Sequence, residues 1–465
     1  MVEHHDCRQA FAGQPRELRN ARDAERCATP AEMGLWACAD AFARGALSSR
    51  AVKSSISLGL VLIACVSLAG CGAARQRNPV PNDLIEVVEP VGFHGVRLWG
   101  DYNEPEEVER MMLARAEILR ERFGAVAAAG KTPRLRYLAI SGGGQYGAFA
   151  AGILTEWSRL GTRPEFDAVT GISTGAIIAP FAFLGPRYDN VLTEIYTTFS
   201  TEDLVERRIF SGVVSGASLL DTAPLREKIA RYVTPAFLDE VGEEHRRGRL
   251  LLVGTTNIDA GRSVIWNMGA IAASGKPGAL ELFHEVIVAS AAIPMAFPPA
   301  FFEVEAGGET FEEMHVDGGV TSQVNALSPQ IPHFMMQDLV GFDMDRELYL
   351  IVNGAVTPPP KTVAARTHEI AGASIDALWY AQAVGDLYKV HSIATRDEIA
   401  VHYAWIPESF RLEPEERFDP VFMRALFDLG GDLVSGNALW QSYPPGFTVR
   451  TPSEAGSQAA IAARR

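Results

Sequence analysis

The sequence predicts an α/β fold: a mainly parallel central sheet covered by helices on both faces. Three observations lead there. Short apolar, β-branched runs alternate with longer stretches of helical period. No internal repeat interrupts that alternation. Glycine-bearing turns stand at the ends of strands, at Ser141-Gly142-Gly143-Gly144, Gly171-Ile172-Ser173-Thr174-Gly175 and Asp317-Gly318-Gly319. With 465 residues, 47% of them hydrophobic and 21% charged, the chain is long and apolar enough to bury one large core, expected over residues 131–445.

Taken in order, residues 1–51 carry Cys7, Cys27 and Cys38 without coherent periodicity, and are expected to be a non-native or disordered extension. Lys53 then precedes Ile56 to Leu68, an apolar stretch too short to span a bilayer as a finished helix, which ends in Leu68-Ala69-Gly70-Cys71. A basic start, an apolar core and small residues before a cleavage point describe a secretory signal over residues 52–70, with translation expected to begin at Val52. Residues 71–130 should hold a polar, proline-punctuated tether from Gly72 to Pro90, then a helix from Asn103 to Phe123. Asn103 is placed to cap that helix, Pro105 and Glu106-Glu107 suit its first turn, and Val108, Met112, Leu119 and Phe123 form a stripe expected to dock on the domain rather than on a membrane.

Arg134 to Ile140 reads as a buried strand running into Gly142-Gly143-Gly144, and a helix comes next with Phe149, Ile153, Trp157 and Leu160 on one face. Consecutive glycines at such a junction turn backbone N–H groups toward one point, which suits an anion, either a phosphate or the oxyanion of a tetrahedral intermediate. Gly142, Gly144 and Gly147 also satisfy a dinucleotide-binding pattern, with Asp167 as the ribose acid. That alternative is disfavoured, because Asp167 precedes its strand instead of ending it. Phe166 to Thr170 is the next strand and Ala176 to Ala179 begins the helix behind it, so Ser173 sits on a sharp turn. Pro180 falls in the second turn of that helix and is expected to kink it.

From Ser200 to Arg247 the chain is helical and charged, a candidate lid, with Asp221 to Leu225 opening one helix. Strands are expected at Leu250 to Ile258, Phe311 to Val316, Glu347 to Val352 and Ala400 to Ile406, helices at Leu282 to Ala289 and His368 to Val390, and a disordered tail over residues 446–465.

The chemistry lies in the turns. Ser173, exposed at a strand's end before a helix N-terminus, has a nucleophile's position, and Asp317 is the carboxylate that could take its proton directly. Alone, each motif has an ordinary explanation: a capping serine, or an Asp-Gly turn. A Ser-His-Asp triad is the nearest competing arrangement, but His284, His315, His333, His368, His391 and His402 stand in no recognisable context. His315 alone would share a strand face with Asp317.

These residues resemble the patatin-like phospholipases, in which a glycine loop, a G-x-S-x-G nucleophile and a D-G-G or D-G-A aspartate occur in this order. The likeness extends to Leu251 to Gly261, Ala289 to Pro294 and Phe297-Pro298-Pro299, and runs from about Arg134 to Gly436. The resemblance implies a Ser-Asp dyad with Ser173 as nucleophile and Asp317 as proton acceptor. It places the oxyanion on the N–H groups of Gly142, Gly143 and Gly144, and makes membrane lipids or other acyl esters the substrates of a lipid acyl hydrolase of phospholipase A, lysophospholipase or carboxylesterase type. Family members commonly begin the loop with Asp and place Arg two residues after the last glycine, where this chain has Ser141 and Tyr146. Loss of that cation points to weaker activity or neutral esters, and leaves a catalytically silent lipid- or protein-binding domain as the alternative.

Cys71 resembles the lipidated cysteine of bacterial lipoproteins, which implies a membrane-anchored protein of the cell envelope, at the outer membrane or periplasmic face. Beyond Cys71 the chain has no cysteine, and it shows no H-E-x-x-H or clustered metal ligands, so neither a metal nor a cofactor is expected. A net charge of −15 offers no basic footprint for nucleic acid.

Overall fold

A computed structural model describes residues 76–204, 206–207, 220–357 and 362–447. Cys71, the signal segment, the residues before it and those from 448 onward lie outside the described residues.

In chain order the elements are β1 (Glu89–Pro90), β2 (Arg97–Trp99), α1 (Pro105–Ala128), β3 (Arg134–Ile140), α2 (Gly147–Arg159), β4 (Ala168–Ile172), α3 (Thr174–Leu184), α4 (Asp189–Thr198) and α5 (Thr201–Leu204). A small ribbon of β5 (Glu206–Arg207) and β6 (Leu220–Asp221) precedes α6 (Ala223–Tyr232) and α7 (Pro235–Arg246). Then come β7 (Leu250–Asn257), β8 (Arg262–Asn267), α8 (Met268–Ala273), α9 (Ala279–Ser290), β9 (Ala300–Ala306) and β10 (Glu309–Asp317). The chain closes with α10 (His333–Val340), β11 (Asp345–Val352), α11 (Thr367–Arg396), β12 (Ala400–Trp405) and α12 (Pro420–Ser435).

The main sheet runs β1-β9-β10-β7-β4-β3-β11-β12, with β8 joined to β7 and β2 to β8. The stretch β7-β4-β3-β11-β12 is parallel, while β8, β9 and β10 attach antiparallel. The mainly parallel expectation therefore describes the centre, and an antiparallel wing carries Asp317. Every residue of β4 is buried, as a strand covered on both faces requires. Alternation along β3 sorts the layers. Leu138 and Ile140 join the core built on α2, α3 and α12, and Ala139 joins Leu348, Leu350 and Val352 of β11 against Leu387 and Val390 of α11.

Three sequence expectations are corrected. Asn103 does not cap α1, whose N-cap is Glu104 with no side-chain bond; the Asn103 amide is instead engaged on both sides by the backbone of Trp99. The tether expected to Pro90 is not free from Arg77 onward. Arg77 pairs with Asp259, Val88 is buried, and β1 adds to the sheet edge beside β9. Among the described residues between Ser200 and Arg247, helices alternate with the β5–β6 ribbon. The stripe of α1 does dock: Val108, Met112, Ala116 and Leu119 bury against Leu135 of β3 and Met336 and Val340 of α10.

Candidate active site

Ser173 stands immediately after β4 and before α3, with φ 54° and ψ −121°. A non-glycine residue at such angles stores about 1–3 kcal/mol of strain, which the surroundings must hold in place. They do so by crowding. A Cβ on Gly171 would lie 2.1 Å from the Gly175 carbonyl oxygen, and one on Gly175 would lie 2.3 Å from the Ile140 carbonyl oxygen, so neither position tolerates a side chain. Ser290, the last residue of α9 and wholly buried, completes the hold. Its Oγ accepts from the Ser173 N–H at 2.9 Å and donates to the Gly254 carbonyl at 2.7 Å. The helix continues through Pro180, whose missing N–H leaves the Ala176 carbonyl without its usual donor.

Asp317 arrives from the opposite strand direction. The register sets Asp317 beside Thr255, one residue from the Gly254 that pairs with Ile172, so the end of β10 meets the end of β4. The carboxylate is buried and accepts the Gly319 N–H at 2.7 Å, and the Ser173 side chain is near enough to favour its charged form. Burial is the largest influence on it and raises its pKa to about 7, against the opposing bonds from Ser173 and Gly319.

The glycine loop after β3 lies against Ser173, since a Cβ on Gly142 would fall 3.3 Å from the Ser173 Cβ. Gly143, at φ 144°, leaves no room for a Cβ, which would fall 2.2 Å from the Asn353 carbonyl oxygen. The Gly142 N–H points at the Gln323 carbonyl at 3.4 Å, whereas those of Gly143 and Gly144 find no acceptor among the described residues. The two departures from the family pattern have structural places. Ser141 Oγ accepts from the Asn353 N–H at 2.8 Å and donates to the Gly142 carbonyl at 2.7 Å, while the Tyr146 ring packs edge-on against Phe422 at 5.3 Å.

Residues that no motif pointed to hold these parts together. Gln323 spends its carbonyl on Gly142 and its side-chain amide on the Gly319 carbonyl at 2.8 Å, linking glycine loop to aspartate turn. Asp386 of α11 receives the Gln323 and Val324 N–H groups and the Ser322 hydroxyl. Asn353 ties the loop to α2 through the Ala150 N–H.

No described histidine contacts the pair. His315, fully buried, is held between Thr255 and Glu313, and burial lowers its pKa. His284 meets the Val233 carbonyl, His391 the Tyr403 hydroxyl, and His402 stacks on Tyr349; the side chains of His333 and His368 are not among those described. The dinucleotide alternative also fails. Asp167 sits at the entry of β4, at the far end from the elbow, bound by Arg122 and the Arg136 N–H. Among the described residues no metal-holding cluster of His, Cys, Asp or Glu occurs.

A pocket opens beside Gly144 and Ser173, walled by side chains from α3, α4, α6, α9 and α12. Among its lining residues Lys228 is the one charged side chain, with its ammonium 3.5 Å from Asp203 and over the Phe199 ring. The α6 helix of the expected lid thus forms a wall. The rest of the pocket is almost wholly hydrocarbon, so it accepts an apolar chain and offers little to a polar one.

Residues 138–329 match the family model of patatin-like phospholipases. No curated protein sequence matches the chain. Among solved structures, the crystal structure of VipD from Legionella pneumophila is 12% identical, covering 66% of this chain and 67% of that one at a TM-score of 0.29. Human GIVD cytosolic phospholipase A2 is 9% identical, covering 61% of this chain at a TM-score of 0.28, and this chain spans 51% of its length. The match encloses the glycine loop, the serine elbow and the aspartate turn, and over residues 138–329 the chain is similar to the patatin-like phospholipases.

Proposed function

We propose that the protein is a serine-dependent lipid acyl hydrolase, anchored through a lipidated Cys71 at a bacterial membrane surface. Ser173 Oγ attacks the ester carbonyl carbon while its proton passes to Asp317. The oxyanion takes hydrogen bonds from the free N–H groups of Gly143 and Gly144, with Gly142 serving to fix the loop. As the ester bond breaks, the alcohol leaves with the proton from Asp317, and an acyl-serine remains. Water then gives a proton to Asp317 and its oxygen to the acyl carbon. The fatty acid departs and the proton returns to Ser173, so one ester and one water yield one acid and one alcohol.

The observation carrying this reading is the strained Ser173 held within reach of a buried carboxylate whose pKa stands near 7. A base of that pKa is matched to neutral pH, and a capping serine would need neither the strain nor the partner. The hydrocarbon lining of the adjoining pocket supports an acyl chain as the group bound there, and phospholipids or other acyl glycerides as its sources. A fluorophosphonate probe is expected to label the wild type and spare Ser173→Ala. A wild type that resists labelling would instead support a silent lipid-binding domain.

A further inference from the structure

Ser173 at the N-cap of α3 and, within the helix, Ile177 and Phe181 all line the pocket and follow one another at four-residue spacing. The pocket therefore runs beside a helix whose rise is known. Eight residues from Ser173 to Phe181 span about 12 Å at 1.5 Å per residue. An extended chain advances about 1.2 Å per bond, since three bonds cover 3.3–3.6 Å in a stretched backbone. Beyond Phe181 the space is filled, because its ring packs at 5.3 Å on Phe237 and at 6.0 Å on Tyr188, neither of which lines the pocket. Ile195 of α4, Ile229 of α6 and Ile287 of α9 also line the pocket, offering apolar contacts to a chain that starts at Ser173 and follows α3 to Phe181.

We propose that Ser173, Ile177 and Phe181 form an acyl ruler, with Phe181 as its stop, that selects esters of medium-chain acids of about ten carbons. This rests on the acyl-hydrolase reading and adds a specificity to it. Longer chains meet the Phe181 ring and must fold back, and shorter ones leave hydrocarbon wall uncovered, forfeiting about fourfold in binding per missing methylene.

The test uses the purified protein and p-nitrophenyl esters from butanoate through decanoate to hexadecanoate, read as kcat/KM. The wild type should peak near decanoate. Phe181→Ala should raise the hexadecanoate-to-decanoate ratio about tenfold, and Ile177→Phe, which fills the middle of the pocket, should lower the decanoate-to-butanoate ratio by a similar factor. The two variants move preference in opposite directions, which a general loss of stability does not do. Ile177 is only half-buried, so its variant stands should Phe181→Ala not fold. A wild-type rate that climbs steadily to hexadecanoate, or ratios unmoved in both variants, overturns the ruler while leaving the hydrolase intact. No turnover of any ester, with no fluorophosphonate label, overturns both.

Discussion

In the proposed hydrolase, burial of the Asp317 carboxyl makes one side chain answer for both catalysis and stability. With its pKa near 7, the group gains its charge as pH rises through neutrality, so kcat/KM for an acyl ester should climb about tenfold per pH unit below pH 7 and level above it. The stability effect has the opposite sense. An acid whose folded pKa exceeds its ordinary 3.8 holds its proton more tightly when folded, so stability falls as pH rises from about 4 to about 7 and stays lower beyond. Asp317→Asn keeps an oxygen for the Gly319 N–H but never ionises. It should abolish turnover and, in urea unfolding at pH 8, be more stable than wild type by up to about 4 kcal/mol, a gain that vanishes near pH 4. A variant no more stable at pH 8 would mean that the ionised carboxylate is better solvated than its surroundings indicate.

At the scale of elements, the elbow depends on α9 reaching under the β4–α3 turn. Ser290→Ala would leave the Ser173 N–H and the Gly254 carbonyl buried without their partner, a loss of about 1–3 kcal/mol measurable by denaturant titration, with a fall in kcat as the strained serine relaxes. The glycine turns and the strands and helices flanking them were legible in the sequence because their requirements are local: a crowded turn excludes Cβ, and a buried strand is apolar throughout. Ser290, Gln323 and Asn353 were not, since each acts on a partner far along the chain. The Ser173–Ser290 bond alone spans 117 residues, and a lone serine at a helix end announces nothing. Asn103 misled for a related reason, as the Trp99 backbone competes for the amide that would have capped α1. The antiparallel wing was missed because the strand expected at Phe311 to Val316 carries no sign of its direction, and no strand was expected at β8 or β9.

For the whole molecule, an excess of acidic residues and an apolar pocket set separate terms for meeting lipid. A net charge of −15 repels anionic bilayers, so the anchoring proposed at Cys71 would have to bring the pocket to its substrate. Cys71→Ser should abolish palmitate incorporation and shift the protein from membrane to soluble fractions, while retaining hydrolysis of dispersed short-chain esters. Undiminished palmitate in that variant would defeat the anchor.

Asp317 also lies at the end of a hairpin whose opposite tip is Gly307–Gly308, both at positive φ. Eight strand residues, Glu309 to Val316, separate the tip from Asp317, about 30 Å of extended chain. A fluorophore or affinity peptide spliced between those two glycines would ride on a stiff ribbon well away from Ser173 and Asp317, giving a handle for watching the protein without touching its proposed catalytic pair.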